Sequence, residues 1–388
     1  MSRDERRVDP ATLARLAAGR DDGDAARTLA PDSVAALVES GLLRLGVPEA
    51  LGGPGWRLGE VLDALEALSE VDVSAAWIVW NNLLPALFGQ RLDPAARAEA
   101  FADPSAVYGN STRAQGRAVP SAGGYRVSGR WGLVSGAMAA TRFALLCNVD
   151  AERAAPRLVF IDAADVTVLD TWHTQGLRGT GSHDVVVDDV AVPDERTCPF
   201  AGPSPSRAGG LDLLAPIGVL AVGCATMLVT LARLGVDELV GIARANVPTD
   251  GRPQAAARGA VAQGVARAGA DVRSARAAVR RAADDLEAAA EPGSAAEQGW
   301  DAAAQSGAER MAAVFESVDV ARRAAQSALA SCVELGGTAA IRAELPLDRA
   351  HRDAHVMARH VMFDPLWLEE AGRVRLGFEP ANPLFAET

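Results

Sequence analysis

Gly124-Tyr125-Arg126-Val127-Ser128-Gly129-Arg130-Trp131-Gly132-Leu133-Val134-Ser135-Gly136 follows a Gly123-Gly124 turn and alternates in character from Tyr125 to Trp131. Period-two alternation next to glycine turns predicts a β-strand. Working outward, Phe143-Ala-Leu-Leu-Cys-Asn-Val, Arg157-Leu-Val-Phe-Ile and Asp184-Val-Val-Val-Asp-Asp-Val are further short apolar or β-branched runs between turn residues. They predict a small β-domain over residues 104–198. On both sides the texture is helical. Residues 1–103 are rich in Ala, Leu, Glu and Arg, with apolar residues at three- and four-residue spacing, and Ser74 to Leu84 reads as a buried helix. Residues 199–210, rich in Pro, Gly and Ser, read as a linker.

From 211 to 388 helical pattern returns. It predicts a helix over Ala270–Ala290 broken at Pro292-Gly293, and a second from Ala295 to Leu335 capped at Gly336-Gly337. A third runs from Arg349 to Gly372. Long helices with short connections predict an antiparallel bundle. The fold class is α+β: N-terminal α-helical domain, middle β-domain, C-terminal helical bundle.

Composition narrows the function. With 388 residues the chain is long for one core. A net charge of −12 without a basic run disfavours nucleic acid and anionic membranes as partners. All basic residues are arginine; without lysine there is no Schiff-base chemistry and no P-loop lysine. Cys147, Cys198, Cys224 and Cys332 form no CxxC, so they read as buried free thiols. The start, Met1 to Arg7, lacks an apolar signal core, which predicts a cytoplasmic protein. Leu213 to Ala232 carries no charge over nearly a bilayer span; it reads as a helix buried in the bundle rather than a membrane segment. It asks for more cover than one bundle gives, and so points to an oligomer.

Helices, then strands, then a bundle is the order of the acyl-CoA dehydrogenase superfamily, which this chain resembles over nearly its whole length. The 124–136 stretch resembles the strand and turn that meet the flavin ring in that superfamily. Gly176-Leu177-Arg178-Gly179-Thr180-Gly181-Ser182 with Asp189-Val190-Ala191-Val192-Pro193 resembles its second β-domain signature. Glu334-Leu335-Gly336-Gly337 resembles the turn approaching the flavin nucleotide, and Arg352-Asp353-Ala354 resembles the opening of its last helix. The Arg130-Trp131 to Ser135-Gly136 pattern and Arg352-Asp353-Ala354-His355 to His360 resemble the two-component (group D) flavin monooxygenases of this fold. These include phenol hydroxylases, desulfurising S-oxygenases and amino-sugar N-oxygenases. They take reduced FMN or FAD from a separate flavin reductase and activate O2 as a C4a-hydroperoxyflavin. The resemblance also implies a homotetramer.

Two positions argue against dehydrogenation. The family's base Glu, nine residues after the Arg of Arg-Asp, falls on Val361. The alternative base on the first bundle helix falls on Leu214, after Leu211-Asp212-Leu213. Neither side chain can take the α-proton that must leave with the hydride.

The resemblance assigns His360 and Ser135 as catalytic residues. On the last helix Arg352, Val356 and His360 share a face at i, i+4, i+8. There His360 would take the proton of a phenol, amine or thiol. Ser135 would meet flavin N5. Cofactor-binding residues implied are Asn110, Trp131, Ser135, Trp172, Arg178, Thr180, Ser182, Gly336 and Gly337. The substrate pocket implied comprises Trp80, Asn81, Asn82, His355 and His360. Asn81 and Asn82 stand where desulfurising relatives carry a histidine, which argues against a sulfide substrate. His351 and His355 form an i, i+4 pair with no third ligand, so no metal is expected. The expected function is oxygenation of a small aromatic or amine substrate. An acyl-CoA dehydrogenase or oxidase, and a non-catalytic flavin- or acyl-thioester-binding relative, remain the alternatives.

Overall fold

The computed structural model describes residues 7–152, 154–202, 204–245, 253–290 and 300–385, with backbone alone over 300–306. Those residues form two compact units. One runs to His173 and includes Arg178–Leu220 and the chain from Asn382; the other holds Thr174–Leu177 and Ala221–Ala381. The predicted break at Pro292-Gly293 and the helix start at Ala295 lie outside the described residues.

In the first unit, helices α1 (Pro10–Ala26), α2 (Pro31–Glu39), α3 (Leu58–Val71), α4 (Val73–Phe88) and α5 (Pro94–Ala100) precede the sheet. α1, α2 and α5 each begin on proline, whose missing N–H costs nothing at a helix start. Asp72 caps α4 by accepting the Ser74 N–H at 2.9 Å. Every residue of α4 is buried, as its apolar run predicts.

The sheet has seven strands in the order β5-β6-β2-β1-β3-β4-β7. They are β1 (Tyr108–Ser121), β2 (Gly124–Val134), β3 (Arg142–Val149), β4 (Arg157–Asp162), β5 (Thr167–Leu169), β6 (His183–Pro193) and β7 (Thr197–Pro199). All neighbours are antiparallel except β1 and β3. The central strand, β1, lacks the alternating apolar pattern and was not among the predicted runs. β1 and β2 meet at a turn where Gly123 has φ +78°.

Trp131 corrects a cofactor assignment. It is fully buried within the sheet core, and its indole N–H donates to the Leu146 carbonyl at 2.8 Å. Its ring fills the space left by two glycines. A Cβ on Gly116 would lie 1.9 Å from Trp131 Cζ2, and one on Gly129 would lie 2.9 Å from its Cη2. Trp131 is therefore a core residue with no face for a flavin. Gly116→Ala should cost about 1–3 kcal/mol through overpacking, read as a lower urea midpoint with an unchanged denaturant slope.

Ser206 and Asp212, on either side of the predicted linker's end, are anchored to the N-terminal helices. Ser206 N–H donates to the Gln90 carbonyl at 3.0 Å, and the Ser206 carbonyl accepts from Arg97 at 2.6 Å. Arg97 forms a two-pronged ion pair with Asp212 at 2.7 and 2.8 Å, both side chains 1% exposed.

The second unit contains the helices α6 (Pro216–Ala245, shared with the first unit at its start), α7 (Gly259–Ala289), α8 (Trp300–Gly336), α9 (Pro346–Met357) and α10 (Pro365–Arg375). Small residues bring its helices close: a Cβ on Gly235 would meet Leu329 Cδ2 at 2.4 Å, and one on Gly264 would meet Leu335 Cδ1 at 2.2 Å. Phe315 of α8 stacks on Trp367 of α10 at 4.6 Å. α6 is long and apolar enough to cross a membrane, yet 89% of its most apolar window is buried within this chain. That burial removes the argument from this stretch to an oligomer.

The predicted last helix is two helices. α9 ends at Met357, and His360 caps a separate 3-10 turn, Val361–Phe363, before α10. His360 therefore does not continue the Arg352–Val356 face. α9 instead holds the segment Thr174–Leu177. The Asp353 carboxylate accepts the Leu177 N–H at 2.6 Å, and Arg352 donates to the Gln175 carbonyl at 2.5 Å. A Cβ on Gly176 would meet the Arg352 carbonyl oxygen at 2.3 Å, which explains that glycine.

Candidate active site

α4, the start of β1, the turn after β2 and the loop before β6 meet in the first unit. Pro85 lies one turn beyond Asn81, and its missing N–H leaves the Asn81 carbonyl without a helical partner. The Asn110 side-chain amide from β1 fills that place at 2.8 Å. Asn81 in turn donates from its side chain to the Ser135 carbonyl at 3.4 Å. Asn82 accepts the Tyr108 N–H at 2.9 Å and donates back to Ile78. Asn110 and Ser135 also bridge as backbone partners. The amides tie the helix to the rim of the sheet where β1 begins and β2 ends.

Ser135 ends this rim. Gly136, with φ +73°, turns the chain, and its N–H donates to the Thr180 carbonyl at 2.8 Å. This bond fixes the 178–182 loop against the Ser135 turn. A chain of hydroxyls results. Ser135 Oγ and Ser182 Oγ are 2.8 Å apart, and Ser182 Oγ and Thr180 Oγ1 are 2.7 Å apart. The Trp77 indole N–H donates to Ser135 Oγ at 2.9 Å. All four side chains are buried. Sequence reading missed Trp77; the signal available was an indole on an apolar helix, whose N–H needs an acceptor when buried.

Six predicted residues therefore converge: Asn81, Asn82, Asn110, Ser135, Thr180 and Ser182. Others stand apart from this hydrogen-bonded cluster. Trp80 tilts against Trp77 at 4.8 Å, and its indole N–H goes to the Leu220 carbonyl at 2.9 Å. Trp172 is half-buried, its backbone N–H donating to His183 Nδ1 at 3.2 Å. His183 Nδ1 also accepts the Thr171 N–H at 3.1 Å. Burial holds the His183 ring below its ordinary pKa, so the ring stays the acceptor this loop needs. Arg178 donates to the Asp24 carbonyl at 3.0 Å and pairs with its carboxylate at 3.7 Å. Its charge thus has a partner within this chain.

The remaining predicted residues belong to the second unit. Gly336 and Gly337 close α8, Gly337 at φ +56°. His355 is exposed on α9. His360 is half-buried, and its Nδ1 accepts the Met362 N–H at 3.3 Å.

The hydroxyl and amide cluster holds no ionised group. Beside it in sequence, Leu133 is 49% exposed at φ +61° and Met138 is 59% exposed. Uncharged donors and acceptors edged by apolar side chains fit the polar rim and flat face of an isoalloxazine ring. The four cysteines are buried, and burial pushes the thiols of Cys147 and Cys198 up to about 12, so neither is a nucleophile at neutral pH. Among the described residues no three His, Cys, Asp or Glu gather as a metal site.

Residues 222–365 match the family acyl-CoA dehydrogenase, C-terminal domain. The chain is 29% identical to the indole-3-acetate monooxygenase of Pseudomonas putida, over 92% of this chain and 90% of that protein. It is 31% identical to the FADH(2)-dependent resorcinol hydroxylase, oxygenase component, of Rhizobium sp. (strain MTP-10005), over 62% and 59% of the two chains. The structure of XiaF from Streptomyces sp. in complex with FADH2 and glycerol superposes with a TM-score of 0.85 at 27% identity, covering 96% of this chain and 95% of that one. In sequence and in fold the chain is thus similar to oxygenase components of flavin-dependent monooxygenases, and its residues 222–365 match the acyl-CoA dehydrogenase C-terminal domain.

Proposed function

We propose that the protein is the oxygenase component of a two-component monooxygenase that binds reduced FMN or FAD and oxygenates a small aromatic substrate. One observation carries the reading: an uncharged cluster, Ser135–Ser182–Thr180 with Asn81 and Asn110, stands at the sheet rim. The residues at both dehydrogenase base positions, Val361 and Leu214, support it because neither can accept a proton. When bound, reduced flavin supplies the electrons that activate O2. The protein's part is to hold the ring edge through Ser135 and the two asparagines, to keep water away with the apolar residues of α4, and to present a donor to the substrate oxygen. Relatives acting on indole-3-acetate and resorcinol favour an aromatic substrate over an amine.

The test is anaerobic loading with reduced flavin, then mixing with oxygen and a panel of phenols and indoles. A hydroxylated product should form without any acyl-CoA. Tightly bound oxidised flavin that is bleached by an acyl-CoA would instead identify a dehydrogenase. We further propose a cytoplasmic homotetramer fed by a separate flavin reductase. Exposed apolar side chains in the second unit, among them Ile341, Leu376 and Phe378, support self-association. A monomer in light scattering would count against it.

A further inference from the structure

We propose that the buried hydroxyl chain makes Ser135 a reversible hydrogen-bonding partner, so that one serine serves both oxidation states of the bound flavin. The inference rests on the reading that the N5 edge of the ring meets Ser135. Trp77 is the fixed point. An indole nitrogen only donates, so its bond to Ser135 Oγ always occupies one lone pair. Ser135 then has one lone pair and one proton left. Its other partner within the protein is Ser182 Oγ at 2.8 Å. Whichever of the two Ser182 takes, the other is open to a ligand.

The two arrangements differ in sense. If Ser135 donates to Ser182, and Ser182 to Thr180, a lone pair of Ser135 is free to accept an N–H. Reduced flavin carries that N–H at N5. If Thr180 donates to Ser182, and Ser182 to Ser135, the Ser135 proton is free to donate. Oxidised flavin has a bare, accepting N5. Rotating three hydroxyls exchanges one state for the other without moving a heavy atom. Ser135, Thr180 and Ser182 are 6%, 1% and 5% exposed, so solvent cannot easily substitute for a missing partner.

Removing Ser182's hydroxyl therefore affects the two oxidation states unequally. With reduced flavin bound, Ser135 would hold a buried proton with no acceptor. With oxidised flavin bound, it would hold only an unfilled lone pair, which is the lesser penalty. Ser182→Ala should thus weaken reduced flavin about tenfold more than oxidised flavin, the scale of an unsatisfied buried donor. The two-electron potential of the bound flavin should fall by about 30 mV, the equivalent of that ratio. Thr180→Val should shift the ratio in the same direction, because it strands the Ser182 proton one step further on. Trp77→Phe should not change the ratio, since it removes a donor common to both states. Ser182→Thr should restore it.

The experiment is titration of each variant with oxidised FMN and FAD, and anaerobically with their reduced forms, with urea unfolding to confirm a native fold. A selective loss of reduced-flavin affinity in Ser182→Ala and Thr180→Val, absent from Trp77→Phe, supports the proposal. Equal losses for both oxidation states, or no loss, overturn it. Should Ser182→Ala fail to fold, Thr180→Val decides alone. Ser135→Ala separates the two readings: if it leaves both affinities unchanged, the flavin edge does not meet Ser135, and the assignment of the site falls with the inference.

Discussion

Asp212→Ala is expected to destabilise the protein by about 3–5 kcal/mol, the cost of stranding a buried charge. Arg97 is 1% exposed, and Asp212 supplies two of its four bonds. The others go to the carbonyls of Ser206 and Ala86, at 2.6 and 3.0 Å; they occupy N–H groups of the two terminal nitrogens, leave the buried Nε–H without a partner, and do not meet the charge. Asp212 also accepts the Ala208 N–H at 3.1 Å, so its loss frees the 206–212 segment from α5. The pair's net worth is a separate matter. Desolvating two ions offsets much of their attraction, so Arg97→Met with Asp212→Leu should recover most of the loss. Urea unfolding of the parent, Asp212→Ala and the double variant measures this. A single-variant loss under about 1 kcal/mol, the value of an exposed pair, would show that water reaches the guanidinium.

This pair marks a limit of what the sequence discloses. Arg97 and Asp212 lie 115 positions apart, and each reads alone as a surface charge. The helix–strand–helix order was legible because burial imposes periods on the sequence. β2, β3, β4 and β6 show those periods; β1 does not. Tyr108 to Ser121 is mostly polar or glycine, and the strand is held by backbone pairing to β2 and β3 on its two sides. The helix end at Met357 was equally hidden. Ala358 and Arg359 are good helix formers, and the readable signal comes later, at Asp364-Pro365, where Asp364 caps α10. In the site, the motif residues Ser135, Thr180 and Ser182 were found through family resemblance. Their connection through Trp77 was not, because it depends on how α4 lies against the sheet rim.

The same helix end changes what His360 can do. Its Nδ1 accepts the Met362 N–H at 3.3 Å, so in the neutral ring the proton sits on Nε2. A ring in that state carries its proton on Nε2 and has no lone pair there with which to take another. We therefore propose that His360 acts by donating a hydrogen bond to the phenolic oxygen as negative charge gathers on it, rather than as the general base that resemblance implies. Donors aimed at developing oxyanions are worth roughly 10²–10³-fold in rate. His360→Ala should slow product formation by about that factor and divert consumed oxygen to hydrogen peroxide, with reduced-flavin affinity unchanged. Two further variants separate the roles. Asparagine can accept the Met362 N–H but does not reach as far as Nε2, so His360→Asn should keep the cap and lose the rate. Glutamine reaches further with an N–H, so His360→Gln should recover part of the rate. A general base predicts the reverse for glutamine, which would do no better than alanine. The measurement is single-turnover product and peroxide yield against pH. If His360→Ala matches the parent in rate and coupling, the residue is a helix-end cap and takes no part in the chemistry.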